Sequence, residues 1–345
     1  MAPRGGTTDW RCLVSNGETA PLELLCPSDP GTVEVLAPRL VPLGGPRAMT
    51  VRRTLPQRSR SLIGAWCFLD HYGPDNVSGT GGMAVPPHPH TGLQTVSWLF
   101  SGEIEHADSA GYHAAVRPGE LNLMTAGRGI SHSEYSTDTT SVLHGVQLWV
   151  ALPRHARFMA PTFEHYAPQP VSRPGATVSV FLGTLAGSIS PVLTHTPLLG
   201  AEIALDAGAS LTLEVDPGFE YGVLVDAGTL TVASLALSYG ELGYVGPGRD
   251  ALTLVAGNEP VRLLLIGGTP LGESIVMWWN FVGRSHEDIV AFRAAWQEEI
   301  DAATSPGEGT PGPGTRFGLP ADHRDPPLPA PALPTVKLRP RANPS

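Results

Sequence analysis

The stretch Pro86-Pro87-His88-Pro89-His90-Thr91-Gly92 places two histidines two residues apart in a segment that three prolines keep extended. Side chains at positions i and i+2 of a strand point to the same face, about 6.6 Å apart along the chain. Two imidazoles in this arrangement can bind one metal ion from the wall of a barrel. The alternative is two surface histidines in a proline-rich loop. We interpret the stretch as a metal-binding strand of a β-barrel.

A second pair of potential metal ligands follows further along the chain, in the run Arg128-Gly129-Ile130-Ser131-His132-Ser133-Glu134. The turn residues Pro118 and Gly119 lie between the two pairs and would return the chain beside the first. Three histidines and one carboxylate leave coordination positions open, and imidazole nitrogen suits iron, nickel, copper or zinc. His132 by itself would more often be an ordinary buried histidine. In combination, the two pairs predict His88, His90, His132 and Glu134 as the ligands of one metal ion.

Segments of strand length, bounded by glycine and proline, recur on both sides of these pairs. The chain has 40 glycines and 35 prolines but only 16% charged residues, which disfavours long helices and is typical of many short strands. Examples are Gln94–Phe100 and Val142–Leu152 in the first half and Leu211–Val215 and Val261–Ile266 in the second. We predict an all-β chain of two barrels, with domains at residues 33–165 and 166–300.

The two ends of the chain are predicted to lie outside the barrels. Residues 1–32 are weakly patterned and are interpreted as an N-terminal arm. Ser285 is a good N-cap for a short C-terminal helix over residues 285–300, with Asp288 in its first turn. Residues 301–345 contain 11 prolines and little apolar surface, so we expect an extended or disordered Pro-rich tail.

Composition excludes several classes of partner. A net charge of -10 disfavours direct binding of nucleic acid. No apolar run approaches the roughly 18 residues that span a bilayer, and the N-terminus lacks a signal-peptide core. The three cysteines, Cys12, Cys26 and Cys67, form no CxxC pair, and we interpret Cys67 as a small core residue. The expected location is the reducing cytoplasm, without contact to a membrane.

The longer context of both histidine pairs resembles the pirin family of the cupin superfamily. Gly82-x5-His88-x-His90-x3-Gln94-x7-Gly102 is similar to the first cupin motif, Met124–Glu134 resembles the pirin signature, and Gly272–Gly283 resembles the end of the second pirin domain. The resemblance covers roughly residues 33–300 and implies a bicupin, that is, two cupin-type β-barrels. It also implies a single iron in the first barrel, held by His88, His90, His132 and Glu134.

The second half of the chain has no comparable ligand set. Between residues 166 and 300 its histidines are His195 and His286, and neither belongs to a histidine–histidine or histidine–glutamate pair. We therefore expect the second barrel to bind no metal, and to stabilise the first barrel, cover its pocket or form a dimer.

The resemblance implies two kinds of function and leaves a third open. Some pirins resemble quercetin 2,3-dioxygenases, which open a flavonol ring with O₂ and release carbon monoxide; in such an oxygenase Glu134 would be catalytic, accepting the substrate hydroxyl proton. Others are described as nuclear cofactors of transcription, so a non-enzymatic regulator with a protein partner is the alternative. A cupin with another small-molecule substrate is the third possibility. Manganese, nickel, copper and zinc are the alternatives to iron.

Three further residues are candidates for supporting the metal site or lining its pocket. Gln94 stands where cupins commonly have glutamate, so a carboxylate beside the site is lost. Gln147 is a polar residue in an otherwise apolar strand and needs a buried partner. His71 precedes a Gly-Pro turn from which it could reach the pocket. His106 and His113 are interpreted as solvated loop histidines.

Overall fold

The computed structural model describes residues 33–43, 49–304, 315–321 and 323–341. These residues form two antiparallel β-barrels, each built from one seven-stranded and one four-stranded sheet. The predicted arm at residues 1–32 lies outside the described residues, as do Cys12 and Cys26. The predicted all-β fold with two cupin-type barrels and a C-terminal helix is confirmed.

The first half of the chain forms twelve strands. They are β1 (Val33–Leu36), β2 (Arg39–Leu43), β3 (Met49–Leu55), β4 (Trp66–Asn76), β5 (Ala84–His90), β6 (Leu93–Ser101), β7 (Ile104–Asp108), β8 (His113–Val116), β9 (Leu121–Thr125), β10 (Ile130–Ser136), β11 (Val142–Ala151) and β12 (Thr162–Tyr166). The first barrel pairs the sheet β12-β9-β6-β11-β4-β3-β2 with the sheet β5-β10-β7-β8.

The second half forms fourteen strands and one helix. They are β13 (Val171–Arg173), β14 (Ala176–Leu182), β15 (Thr184–Leu185), β16 (Ser188–Ile189), β17 (Leu198–Leu205), β18 (Ser210–Glu214), β19 (Glu220–Ala227), β20 (Leu230–Val232), β21 (Leu235–Leu237), β22 (Leu242–Val245), β23 (Ala251–Ala256), β24 (Val261–Gly268), β25 (Val276–Trp278), β26 (Phe281–Gly283) and α1 (His286–Thr304). The second barrel pairs the sheet β1-β22-β19-β24-β17-β14-β13 with the sheet β18-β23-β20-β21.

Two segments cross the expected linear division at residue 165. Strand β1 pairs with β22, so it is an edge strand of the second barrel although it precedes the first in sequence. At the other end of the chain, Phe281 in β26 forms a bridge with Thr91, beside the histidine strand β5. The second barrel thus includes β1 from the start of the described chain, and the first barrel is contacted by β26 from near its end. Both contacts join residues that are far apart in sequence, so no local pattern predicts them.

The two barrels share a continuous apolar core. Val96 and Trp98 of the first barrel pack in one cluster with Phe181 and Leu264 of the second. The indole Nε1 of Trp98 also donates to Glu202 Oε2 across the interface at 2.7 Å. This interface resembles the interior of a single domain, which fixes the relative position of the barrels.

Helix α1 begins where the sequence predicts. The backbone N–H of Asp288 donates to Ser285 Oγ at 3.1 Å, which makes Ser285 the N-cap. The apolar face of the helix, including Ile289, Phe292 and Trp296, packs on β25 and β26. No helix among the described residues is long and apolar enough to cross a membrane.

Replacing Ser285 by alanine should lower the free energy of unfolding by about 1 kcal/mol, because the first turn loses its capping oxygen. Urea denaturation followed by circular dichroism measures the change. Ser285→Asp is the control and should keep most of the stability, since aspartate is an equally good cap. Equal losses for both variants would contradict the capping role.

The described part of the predicted tail, residues 315–321 and 323–341, is extended and packs against the rest of the chain. The Glu299 carboxylate of α1 accepts the backbone N–H groups of Arg316, Phe317 and Gly318. Further along, Leu328 N donates to Pro87 O at 2.8 Å, so the tail lies beside strand β5. Phe317 and Ala330 are buried in the cluster around α1. The low apolar content of this segment is compensated by hydrogen bonds to groups that are distant in sequence.

The thiol of Cys67 is fully buried in the first barrel, in agreement with its interpretation as a core residue. Burial raises its pKa to about 12, so the thiol stays protonated at pH 8. In a Cys12→Ser/Cys26→Ser background, we expect no reaction with Ellman's reagent at pH 8 until the protein is unfolded. Full labelling of the native protein within minutes would contradict this expectation.

Candidate metal centre

Strand β5 presents its two histidines to strand β10. The two strands are antiparallel, with His88 opposite His132 and His90 opposite Ile130. Strand β5 is at the edge of its four-stranded sheet, which is where prolines that lack an N–H can be tolerated. A register shift between His132 and Glu134 changes the pairing at the glutamate. The predicted adjacency of the two residue pairs is therefore present.

Gly92 allows strand β26 to approach the histidine strand. Its φ is +69°, and a Cβ at this position would lie 2.2 Å from the carbonyl oxygen of Val282. Val282 N also donates to Thr91 O at 3.0 Å. Any larger residue at position 92 would push strand β26 away from the end of strand β5.

The imidazole rings of His88, His90 and His132 form a compact buried group. The ring centroids are 5.0 Å apart for His88 and His90, 4.4 Å for His88 and His132, and 4.9 Å for His90 and His132. One ring nitrogen from each histidine lies within 4.8 Å of the others. Their exposed fractions are 7%, 2% and 1%, so the group is shielded from solvent.

The free ring nitrogens fit a metal ion. His90 Nδ1 and His132 Nε2 are buried and have no hydrogen-bond partner among the described residues. The Nδ1 atom of His88 lies 2.9 Å from Pro86 O, which leaves its Nε2 available. Buried polar atoms without partners are costly, and a metal ion would supply the missing interaction. This cluster in a cupin fold indicates a metal cofactor.

Burial also keeps these imidazoles unprotonated. It lowers the pKa of His88 to about 4, despite the hydrogen bond to Pro86. Burial, followed by the neighbouring histidines, lowers the pKa values of His90 and His132 well below the usual range. Since metal ions bind the neutral form of imidazole, protons do not compete at neutral pH.

Glu134 lies in a second group that shares His132. A carboxylate oxygen of Glu134 is within 4.8 Å of ring nitrogens of His106 and His132. Burial raises the pKa of Glu134, while His106 and a hydrogen bond from Ser97 oppose the rise. The predicted ligands therefore lie in two triads that share His132: one contains His88 and His90, and the other contains Glu134 together with His106.

His106 is the residue of this site that the sequence interpretation missed. It is on strand β7, opposite Glu134, and is 3% exposed, so its interpretation as a solvated loop histidine is wrong. Its Nδ1 lies 3.2 Å from His132 Nδ1, and its Nε2 lies 3.2 Å from Asp108 Oδ2. The i, i+2 spacing of His106 and Asp108 is the signal that could have identified it. His113, by contrast, is exposed, with Nε2 2.7 Å from Glu105 Oε1.

The supporting residues are placed by strand alternation. Ser97 Oγ lies 3.1 Å from Gln147 Oε1 and is also within hydrogen-bond reach of Glu134, so Gln147 is linked through Ser97 to Glu134. The single hydroxyl proton of Ser97 is donated to one of these two acceptors at a time. Gln94 and Ser97 are three residues apart on β6, so their side chains point to opposite faces of the strand. The Gln94 amide donates to Thr125 Oγ1. The pattern of β6 alone does not show which of its two faces points towards Glu134. The sequence therefore offered no reason to select Ser97 instead of Gln94 as the residue beside the metal site.

His71 is not joined to the metal ligands. It is next to Tyr72, and neighbouring side chains of a strand point to opposite faces. The Tyr72 hydroxyl is buried, and Glu134 is among the charges that raise its pKa. His71 instead contacts His144 and Asp226, towards the second barrel. The sequence interpretation, which placed His71 near the pocket of the metal site, is therefore wrong. The sequence could not show which face of β4 points into the first barrel.

Comparison with known proteins identifies the family of the chain. Residues 48–150 match the family model described as Pirin, and residues 200–300 match the one described as Pirin C-terminal cupin domain. A Pseudomonas aeruginosa protein with a provisional name of quercetin 2,3-dioxygenase is 43% identical over 84% of this chain and 90% of its own length.

Two further relatives extend this similarity. A pirin-like protein of Caulobacter vibrioides is 34% identical over 72% of this chain and 88% of its own. The crystal structure of a quercetin 2,3-dioxygenase from Acinetobacter baumannii superposes with a TM-score of 0.81 and 36% identity, over 90% of this chain and 98% of its own. Taken with the two barrels and the buried histidine group, these similarities show that the chain belongs to the pirin family.

Proposed function

We propose that this protein is an iron-dependent dioxygenase that opens a flavonol-like substrate with O₂ and releases carbon monoxide. The observation that carries the proposal is the group of three buried imidazoles, His88, His90 and His132. Among the described residues, the last two each have a ring nitrogen without a hydrogen-bond partner, and His132 also lies beside Glu134. The names of two relatives, from Pseudomonas aeruginosa and Acinetobacter baumannii, support the substrate class.

The residues of the site have distinct roles in this proposal. His88, His90, His132 and Glu134 would hold the metal, which supplies Lewis-acid activation of an enolic oxygen and a path for electrons to O₂. Glu134 accepts the proton of the substrate hydroxyl group. A bound cation would hold the pKa of this carboxylate low, so Glu134 would act as a base only after the substrate displaces it from the metal.

Aromatic side chains form one wall of the site. The Trp149 ring stacks on Phe68 with ring centroids 4.1 Å apart. The His90 ring is nearly perpendicular to Trp149, with the two ring centroids 5.2 Å apart. A flat phenolic substrate can stack on such a wall. Ser97 and Gln147 offer a hydroxyl and an amide for its polar groups.

A metal-dependent regulator that binds a protein partner is the second candidate function. It is favoured by the enclosure of the site, since the four predicted ligands are at most 7% exposed. The tail at Leu328 also lies directly along strand β5. A drug-sized ligand needs a cavity of roughly 300 Å³ or more, so an oxygenase requires this side of the barrel to open.

Anaerobic loading with Fe(II), followed by mixing with quercetin and O₂, tests the proposal. Flavonol absorbance and carbon monoxide are recorded together for the wild type, Glu134→Gln and His113→Ala. The exposed His113 is the matched control and should leave turnover unchanged. We expect Glu134→Gln to lower kcat by about 10²–10⁴-fold, the usual contribution of a general base.

The result separates the two candidate functions. Equal loss of flavonol and release of carbon monoxide in the wild type, abolished in Glu134→Gln, supports the dioxygenase. One iron bound per chain without turnover of quercetin contradicts it and favours the regulator, whose partners a pull-down with the iron-loaded protein would then identify.

A further inference from the structure

A second buried group of metal-ligand types lies between the two barrels. His71 on β4 and His144 on β11 belong to the first barrel, and Asp226 on β19 belongs to the second. The side chains of the three residues are 0%, 7% and 0% exposed. None of them takes part in the site at His132, so the group is independent of the proposed oxygenase chemistry.

Three donor atoms of this group converge. Asp226 Oδ1 lies 2.7 Å from His71 Nε2 and 2.6 Å from His144 Nε2, and the two nitrogens are 3.4 Å apart. The other carboxylate oxygen, Oδ2, is held by Arg262 Nε at 2.5 Å. The guanidinium therefore fixes the carboxylate so that Oδ1 alone faces both imidazoles.

These distances are close to those of a coordinated ion. Bonds of about 2.0–2.2 Å at tetrahedral or octahedral angles place neighbouring donor atoms roughly 3.0–3.4 Å apart. The nitrogen–nitrogen distance already has this value, while the two nitrogen–oxygen distances are a few tenths of an ångström short. Binding would move Asp226 slightly towards Arg262, whose side chain is 32% exposed and can adjust.

A metal ion at this position requires the Nε2 atoms of both histidines, which face Asp226 Oδ1, to be free of protons. For His71 the ring proton would move to Nδ1, which is buried without a hydrogen-bond partner among the described residues, and the hydrogen bond from Nε2 to Asp226 Oδ1 would be replaced by bonds of both atoms to the metal ion. For His144 the proton would likewise move to Nδ1, which lies 3.4 Å from Arg262 Nη2, so this weak contact would also be lost.

A groove of the second barrel lies next to this group. It is a cavity of about 630 Å³ lined by Arg262 together with Glu202 and Thr177. Arg262 thus contacts Asp226 with one end of its guanidinium and borders the groove. Glu202 and Asp206 also line the groove together with Arg173, so its walls carry charges of both signs.

We propose that His71, His144 and Asp226 form a second site for a divalent transition metal, which joins the two barrels. Two histidines and one carboxylate with open positions are a donor set that suits zinc and non-haem iron. Because the ligands come from both barrels, the bound ion stabilises the native arrangement and has no preformed site in the unfolded chain.

Metal stoichiometry tests this proposal without reference to turnover. The full-length protein is stripped with a chelator, titrated with Zn²⁺ alone and analysed by plasma mass spectrometry. We expect two zinc ions per wild-type chain and one in each of Asp226→Asn and His144→Gln. Glu202→Gln is the matched control, since it borders the groove but is not a ligand, and it should keep both ions.

A Co²⁺ titration provides a second readout. The ligand-field absorption of the wild type should contain two components, of which His144→Gln removes one and His132→Ala the other. Circular dichroism of each variant confirms folding, and if Asp226→Asn unfolds, His144→Gln alone decides. A single zinc ion in the wild type that is retained in His144→Gln overturns the proposal, and the group is then a hydrogen-bonded contact between the barrels.

Discussion

Replacing His132 with alanine is expected to remove the metal from the first barrel. His132 is the residue common to both triads of the site, and its Nε2, like His90 Nδ1, is buried without a hydrogen-bond partner among the described residues. Changes to residues around a metal site already cost about 10–100-fold in affinity, so loss of a ligand should cost more than about 100-fold. Competition with a chromophoric chelator measures the dissociation constant.

The control for this variant is His113→Ala, which removes an exposed histidine of the same sheet. It should bind metal as the wild type does. His106→Ala should fall between the two, because His106 contacts His132 Nδ1 and orients the ring without holding the metal in our proposal. An unchanged affinity in His132→Ala would rule out the site as we describe it.

Replacing Asp70 with alanine is expected to be the most destabilising single change in the barrel. Arg53 Nε and Nη2 donate to the two carboxylate oxygens of Asp70, each at 2.7 Å, and both residues are buried. The pair joins β3 to β4 inside the first barrel. Removing one partner of such a pair leaves an uncompensated buried charge and costs about 3–5 kcal/mol.

Urea denaturation of the metal-free protein measures this loss. The double variant Arg53→Met/Asp70→Leu removes both charges and fills the space, so it should recover most of the stability. Recovery in the double variant shows that the unpaired charge, and not the loss of packing, destabilises Asp70→Ala. A loss below about 1 kcal/mol in Asp70→Ala would show that water reaches Arg53.

Local sequence patterns were sufficient to predict the features that depend on residues close together in the chain. The pairs His88–His90 and His132–Glu134 follow the two-residue period of a strand, which depends only on backbone geometry. The N-cap of the helix is equally local, because Ser285 acts three residues away. These features could be read from the chain, and with the pirin motifs they predicted both barrels and the members of the site.

Tertiary structure alone decided the contacts between distant strands. His106 joins the site because β7 pairs with β10, and His71 leaves it because the face of β4 is set by packing against the second barrel. Asp226 meets His71 across 155 positions of sequence, and Leu328 meets Pro87 across an even longer separation. The periodicity of one strand fixes which of its side chains share a face, but the choice of neighbouring strand and of the buried face depends on long-range burial of apolar surface.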